Sequence, residues 1–173
     1  MVNKRSFGAR VYEIAEDNGL EQTAVNRIIN SYISLCRQDL LSGIEVRFFG
    51  LVTLVPNKKS SDYIATLAWY AKQVSKQVGY PYFTVLSVIK QYLSTSKRDL
   101  LEGKSVDIRS IVSLHPLYKN NELVKVYASI STSIKEDLLE INGDVTSARA
   151  HTCKLLKYDI ARQLSESQEV LTE

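Results

Sequence analysis

The stretch Gly19–Pro56, GLEQTAVNRIINSYISLCRQDLLSGIEVRFFGLVTLVP, recurs 60 residues later as Gly79–Pro116, GYPYFTVLSVIKQYLSTSKRDLLEGKSVDIRSIVSLHP. No gap is needed. The two copies agree at 13 of 38 positions, among them Val25/Val85, Ile29/Ile89, Tyr32/Tyr92, Asp39/Asp99, Gly43/Gly103, Val46/Val106, Leu54/Leu114 and Pro56/Pro116. These matches fall on apolar positions and on chain punctuation, the signature of a repeated architecture rather than of shared composition.

The first copy reads as follows. Val25, Ile28, Ile29, Tyr32, Ile33, Cys36 and Leu40 step by three and four, which predicts a helix with one buried stripe. Gly43 ends it. Glu45–Phe49 reads as a strand, Gly50 allows a bend, and Leu51–Val55 returns as a second strand that Pro56 stops. Upstream, Ser6 to Asn18 has helical character, closed by Asn18-Gly19. Each unit is therefore helix, turn, helix, hairpin. In the second unit the helices are expected over about Asp62–Gln77 and through Val85–Leu100, and the strands over Ser105–Arg109 and Ile111–His115, ended by Pro116.

Beyond Pro116, Lys119-Asn120-Asn121-Glu122 predicts a turn and Leu123–Ser129 a further strand. The tail reads as a short helix near Ser133–Ile141, broken by Asn142-Gly143, and a longer one near Thr146–Ser165. Ala148, Cys153, Leu156, Ile160 and Leu164 form the stripe of the latter, and Ser167 to Glu173 is expected to fray. The expected class is α+β and mostly helical: unit 1 over residues 1–60, unit 2 over 61–130, and a C-terminal helical hairpin over 131–173, a partial third unit.

Composition narrows the function. The 173 residues carry 22 Lys+Arg against 19 Asp+Glu, a net charge of +3, too weak alone to argue for nucleic acid. Seven Gly and three Pro exclude a collagenous or linker-rich chain. The longest apolar stretch, Phe48–Val55, is too short to span a bilayer, so no membrane is expected. Met1-Val2-Asn3-Lys4-Arg5 lacks the apolar stretch of a signal peptide, and two cysteines, Cys36 and Cys153, do not make a disulfide scaffold; a reducing, intracellular folding site is expected.

Enzyme motifs are missing. The glycines are too far apart for a phosphate-binding loop, and there is no GxSxG elbow. His115 and His151 belong to no zinc-type spacing; they read as a strand-end surface residue and a polar helix position. Cys36 reads as buried packing. Glu136-Asp137 adjoin in sequence but do not face one another on a helix, and read as a solvated face. No catalytic residue, cofactor or metal is expected.

Ile14-Ala15-Glu16, Leu20, Thr23, Leu40-Leu41-Ser42-Gly43 and Val46-Arg47-Phe48-Phe49-Gly50-Leu51-Val52-Thr53-Leu54-Val55 together resemble the HU/IHF family. Its pattern is a helical hairpin, a glycine, and a strand leading into Gly-Phe-Gly-Thr-Phe. Gly50 matches the first glycine and Thr53 the threonine. Leu51 and Leu54 stand in place of the phenylalanines, and Val52 replaces the second glycine. The resemblance spans about residues 7–56 and, more faintly, 66–116.

HU and IHF proteins dimerise and extend basic β-arms that kink DNA from the minor groove. Here Asn57-Lys58-Lys59-Ser60-Ser61 is a loop, and residues 117–129 hold at most a short hairpin, so no position matches an arm. A single unit has too little interior to close alone, so a second unit, of this chain or another, must complete it. The armless tandem form is similar to the IHF-like neck and tail ring proteins of crAss-like bacteriophages. That resemblance implies a non-enzymatic virion component acting as a homo-oligomer or with portal, ring or tail proteins. Candidate interface residues are Trp69, Tyr80, Tyr82, Tyr118 and Tyr127. The alternative is an HU/IHF-type architectural DNA-binding protein, cytoplasmic and nucleoid-associated, using Lys58, Lys59, Lys97, Arg98, Lys104, Arg109, Lys119 and Lys125.

Overall fold

A computed structural model describes residues 5–143 and 148–172. Among these the chain is an α+β fold of helices and two small antiparallel sheets. Helices α1 (Phe7–Asn18) and α2 (Gln22–Leu41) lead into strands β1 (Val46–Phe48) and β2 (Val52–Pro56). Helices α3 (Leu67–Val78) and α4 (Tyr82–Leu101) lead into β3 (Val106–Ile108) and β4 (Val112–Lys119). All four elements of the second half begin 60 residues after their counterparts. The hairpin registers agree too: Val46 opposes Leu54 and Phe48 opposes Val52, as Val106 opposes Leu114 and Ile108 opposes Val112.

Local chemistry explains the boundaries. Ser6 and Thr66 accept hydrogen bonds from the amides of Ala9 and Trp69 at the first turns of α1 and α3. Gly19 and Gly79 close those helices in the left-handed conformation, which costs glycine little. The α3 start at Leu67 corrects the expected one near Asp62; the Thr66 cap, not the acidic residue, sets it.

The third strand of each sheet arrives differently. After β4, an Asn120-Asn121 turn with both φ values positive reverses the chain into β5 (Glu122–Ile130), as a tight hairpin requires. Strand β4 runs on through Pro116 to Lys119, correcting the expectation that the proline ends it. Strand β3 flanks β4 only as far as Leu114, so at Pro116 one edge of β4 has no strand beside it and a missing N–H is tolerated. The first sheet gets its third strand from far away: β6 (Ala148–Thr152) pairs along β2, Pro56 opposite Ala148 and Val52 opposite Thr152.

That strand corrects the reading of a C-terminal helical hairpin. Residues 148–152 are extended, and α6 begins at Lys154 and continues to Thr172, through residues expected to fray. The expected helix start at Thr146 lies outside the described residues. Helix α5 (Thr132–Asn142) ends at Gly143, as expected.

A second correspondence, offset by 22, relates these late elements. Strand β5 with α5 stands to the second sheet as β6 with α6 stands to the first. The Ser131 amide donates to the Ile111 carbonyl at 2.8 Å, and the Cys153 amide to the Leu51 carbonyl at 2.9 Å. Ile134 and Leu156, then Leu138 and Ile160, are the buried residues of the two helices. The second half is thus inserted between β2 and β6 of the first, and the chain carries an internal two-fold relationship.

The two halves share one interior. Helix α1 packs on α4, α3 packs on α2, and α2 packs on α4. Their stripes, from Val25 to Leu40 and from Val85 to Leu100, are fully buried with Tyr32 and Tyr92 at the centre. The Tyr32 ring meets Tyr70 edge-on at 5.5 Å across the halves, and Tyr92 meets Phe7 at 6.2 Å. The units therefore pair with each other, which supplies the wall that one unit lacks.

Candidate functional site

The interior between the halves carries charge. Arg10 on α1 and Asp99 on α4, both almost inaccessible, meet through Nε and Oδ2 at 2.9 Å. At the equivalent place the Tyr70 hydroxyl donates to Asp39 Oδ2 at 2.5 Å. Burial pushes the Tyr92 hydroxyl up to about 12 and the Tyr32, Tyr70 and Cys36 groups above their ordinary values. These are groups held neutral by desolvation. Cys36 is buried, as its helix stripe predicts.

The histidines stand apart. His115 lies exposed on β4 with Nδ1 3.2 Å from Ser105 Oγ. His151 is on β6 opposite Thr53, which corrects its expected place on a helix. Asp137 is not simply solvated: it pairs with Arg37 of α2. Its counterpart Asp159 pairs with Lys97 at 2.9 Å. Among the described residues no three His, Cys, Asp or Glu side chains gather as a metal site, and no helix is long and apolar enough to cross a membrane.

Four of the eight basic candidates pair with carboxylates of this chain. Lys59 pairs with Glu45 at 3.4 Å, Lys97 with Asp159, and Lys104 with Glu102 at 2.9 Å. Arg98 grips Glu13 with both guanidinium nitrogens, at 2.6 and 2.8 Å. That hydrogen bonding, joined by Arg5, holds the Glu13 carboxyl down at about 2 and raises Arg98. Arg109 lies over the Phe7 ring at 3.8 Å and donates to Asn30. Lys125 sits over Tyr127 at 5.0 Å. Lys58 and Lys119 are exposed on the loop after β2 and at the β4–β5 turn.

Of the aromatic candidates, Tyr118 and Tyr127 are exposed on the β4–β5 hairpin, close to half their surface in solvent. Trp69, Tyr80 and Tyr82 are half-buried and pack against the core. The structure does not bring the five together.

Sequence reasoning passed over the most exposed aromatics, Phe83 on the first turn of α4 and Phe49 after β1. A signal existed for each. Successive residues of a strand face opposite ways, so Phe48 and Phe49 cannot both enter the core. Phe83 lies off the stripe that begins at Val85.

Phe49 borders an apolar groove of about 450 Å³, with Gly50, Leu67 on α3, Leu93 on α4 and Leu155 on α6 along its walls and Lys90 and Lys97 at its rim. At the equivalent place in the other half stand Arg109, Phe7, Asn30, Ile33, Arg37 and Ser133. There the Arg109 guanidinium covers Phe7, and Arg37 donates to the Ser110 carbonyl and to Ser133 Oγ. The first half's groove is apolar, whereas at the equivalent place Phe7, Arg109 and Ser110 border a polar hollow shared with Arg5, Arg10 and Asp107.

Comparison with family models, with curated proteins and with solved structures gave no match.

Proposed function

We propose that this chain is a non-enzymatic structural protein of tandem HU/IHF-like units that works by protein–protein assembly, as a ring component of a phage neck or tail. The observation that carries this reading is what replaces the arms. Between β2 and β6, where an HU-type arm would extend, a whole folded unit is inserted. Between β4 and β5 the chain turns on two asparagines after a short, mostly uncharged ribbon.

The cations point the same way. DNA affinity scales with the number of phosphates neutralised. Lys59, Lys97, Arg98 and Lys104 are already committed to carboxylates of this chain. The internal pairing of the halves also leaves outer surfaces, not the dimer face of the family, for contacts with other chains.

A pair of measurements tests this. Light scattering is expected to give a defined oligomer, or co-purification a stable complex with a neighbouring virion protein. A mobility shift at low salt is expected to give no DNA complex. A monomer without a partner, or a complex that weakens steeply between about 50 and 200 mM salt, would move the assignment to the DNA-binding alternative or away from both.

A further inference from the structure

The internal symmetry is broken at two places, and the two are complementary. The first is the apolar groove: Phe49 is 68% exposed and Leu155 51%, with Leu67 and Leu93 below them and Lys90 and Lys97 at the rim. The second is the end of α6. Its counterpart α5 stops at Asn142, which corresponds to Leu164 by the offset of 22. Helix α6 continues to Thr172, two turns beyond.

That extra segment has a distinct composition. Residues 165–173 carry Glu166, Glu169 and Glu173 and no Lys or Arg. Ser167 Oγ lies 3.5 Å from Glu122 on β5, so one side of the segment rests on the hairpin. Glu166 and Val170, one turn apart, face solvent, with Val170 76% exposed; Glu166 stands 3.9 Å from Arg162 in an exposed i,i+4 pair, weak enough to exchange for another cation. An apolar anchor beside a carboxylate matches an apolar groove beside an ammonium.

We infer that the end of α6 of one copy docks in the Phe49–Leu155 groove of the next, with Val170 against the apolar wall and Glu166 facing Lys90. The segment cannot reach its own groove. Leu155 lines that groove at the start of α6, and at 1.5 Å per residue Val170 lies about 22 Å away along the same helix. The contact is therefore made between chains. It joins two different surfaces, so repetition generates a ring or an open filament rather than a closed dimer. This inference rests on the assembly reading and names the surface it would use.

The test is sedimentation velocity on the full chain across concentration at low salt, with Val170→Lys, Lys90→Glu and the Lys90→Glu/Glu166→Lys pair. All three positions are exposed, so folding is retained. The wild type is expected to self-associate. Each single variant is expected to weaken association at least about tenfold, and the charge-swapped pair to recover most of it. A photo-crosslinker at position 49 is expected to capture residues 165–170 of another copy. An oligomer indifferent to both single variants, or crosslinks elsewhere, overturns this contact and leaves the assembly reading standing. A monomeric wild type that binds another virion protein does the same; a monomer that binds none removes both.

Discussion

Arg10 and Asp99 are joined across the two halves of the chain by a buried ion pair, Nε to Oδ2 at 2.9 Å, and the same place in the other half holds Tyr70 hydrogen-bonded to Asp39. The repeat keeps the aspartate and changes its partner. Arg5 and Arg98 stand 3.6 and 3.7 Å from the other oxygen of Asp99, so the charged version is a small cationic cluster around one carboxylate. The tyrosine version uses a single neutral donor.

Removing one partner of a buried pair leaves the other charge uncompensated. Arg10→Ala is expected to destabilise the fold by about 3–5 kcal/mol in urea denaturation. Arg10→Tyr, which copies the arrangement at Tyr70, is expected to cost less than half as much. Equal losses for both variants would show that the guanidinium, rather than a donor to Asp99, is what this site requires.

Gly103 has φ of +85°, and a Cβ there would stand 1.6 Å from the Tyr118 hydroxyl. The turn after α4 thus packs against the β4–β5 hairpin through Tyr118, whose half-exposed ring would have to swing away from any side chain at this position. Gly79, with φ of +78°, would meet nothing. Gly79→Ala is expected to cost about 1–2 kcal/mol for the left-handed backbone alone. Gly103→Ala is expected to cost more, and Tyr118→Ala in the same chain to return part of the difference. A double-mutant cycle measures that coupling.

Ser110 holds φ of +58° where the first half has Gly50 at +79°. Its carbonyl accepts from Arg37 and from Ser131, and these bonds hold the strained turn. Ser110→Gly keeps the carbonyl and relieves the backbone, and is expected to stabilise by up to about 1 kcal/mol. A lower denaturation midpoint in the variant would contradict this.

Glu13 lies between Arg98 and Arg5, and its carboxyl is lowered from 4.5 to about 2. A depressed folded value means stability that is present above pH 4.5 and lost as pH falls toward 2. Glu13→Gln is expected to flatten the decline of unfolding free energy across that window while leaving its slope near neutrality unchanged. An unaltered acid profile would show that the pair is already screened by solvent.

The parts of this fold that could be read in advance are those where the copies align without a gap. The stripe from Val25 to Leu40 and its repeat placed α2 and α4, and the punctuation at Gly43, Gly50 and Pro56 placed the β1–β2 hairpin. Strand β6 was misread for a physical reason. Ala148-Arg149-Ala150-His151 has good helix formers, and Ala148 and Cys153 continue the spacing of Leu156 and Ile160. What makes these residues a strand is the open edge of β2, some ninety residues earlier, and no local pattern reports it. The offset of 22 was hidden likewise, because Ser131/Cys153, Asp137/Asp159 and Leu138/Ile160 are too few matches without the coordinates beside them. The apolar groove needed more still: its walls come from the turn after β1 and from α3, α4 and α6, which only the fold brings together.

In the proposed function this chain builds assemblies and does not grip DNA. Sedimentation velocity of the full chain, alone and with a short DNA duplex at low salt, separates assembly from DNA binding. The expected mass is a fixed multiple of 19.5 kDa, unchanged by the duplex. A 19.5 kDa species that gains the mass of the duplex, and releases it as salt rises, would contradict it.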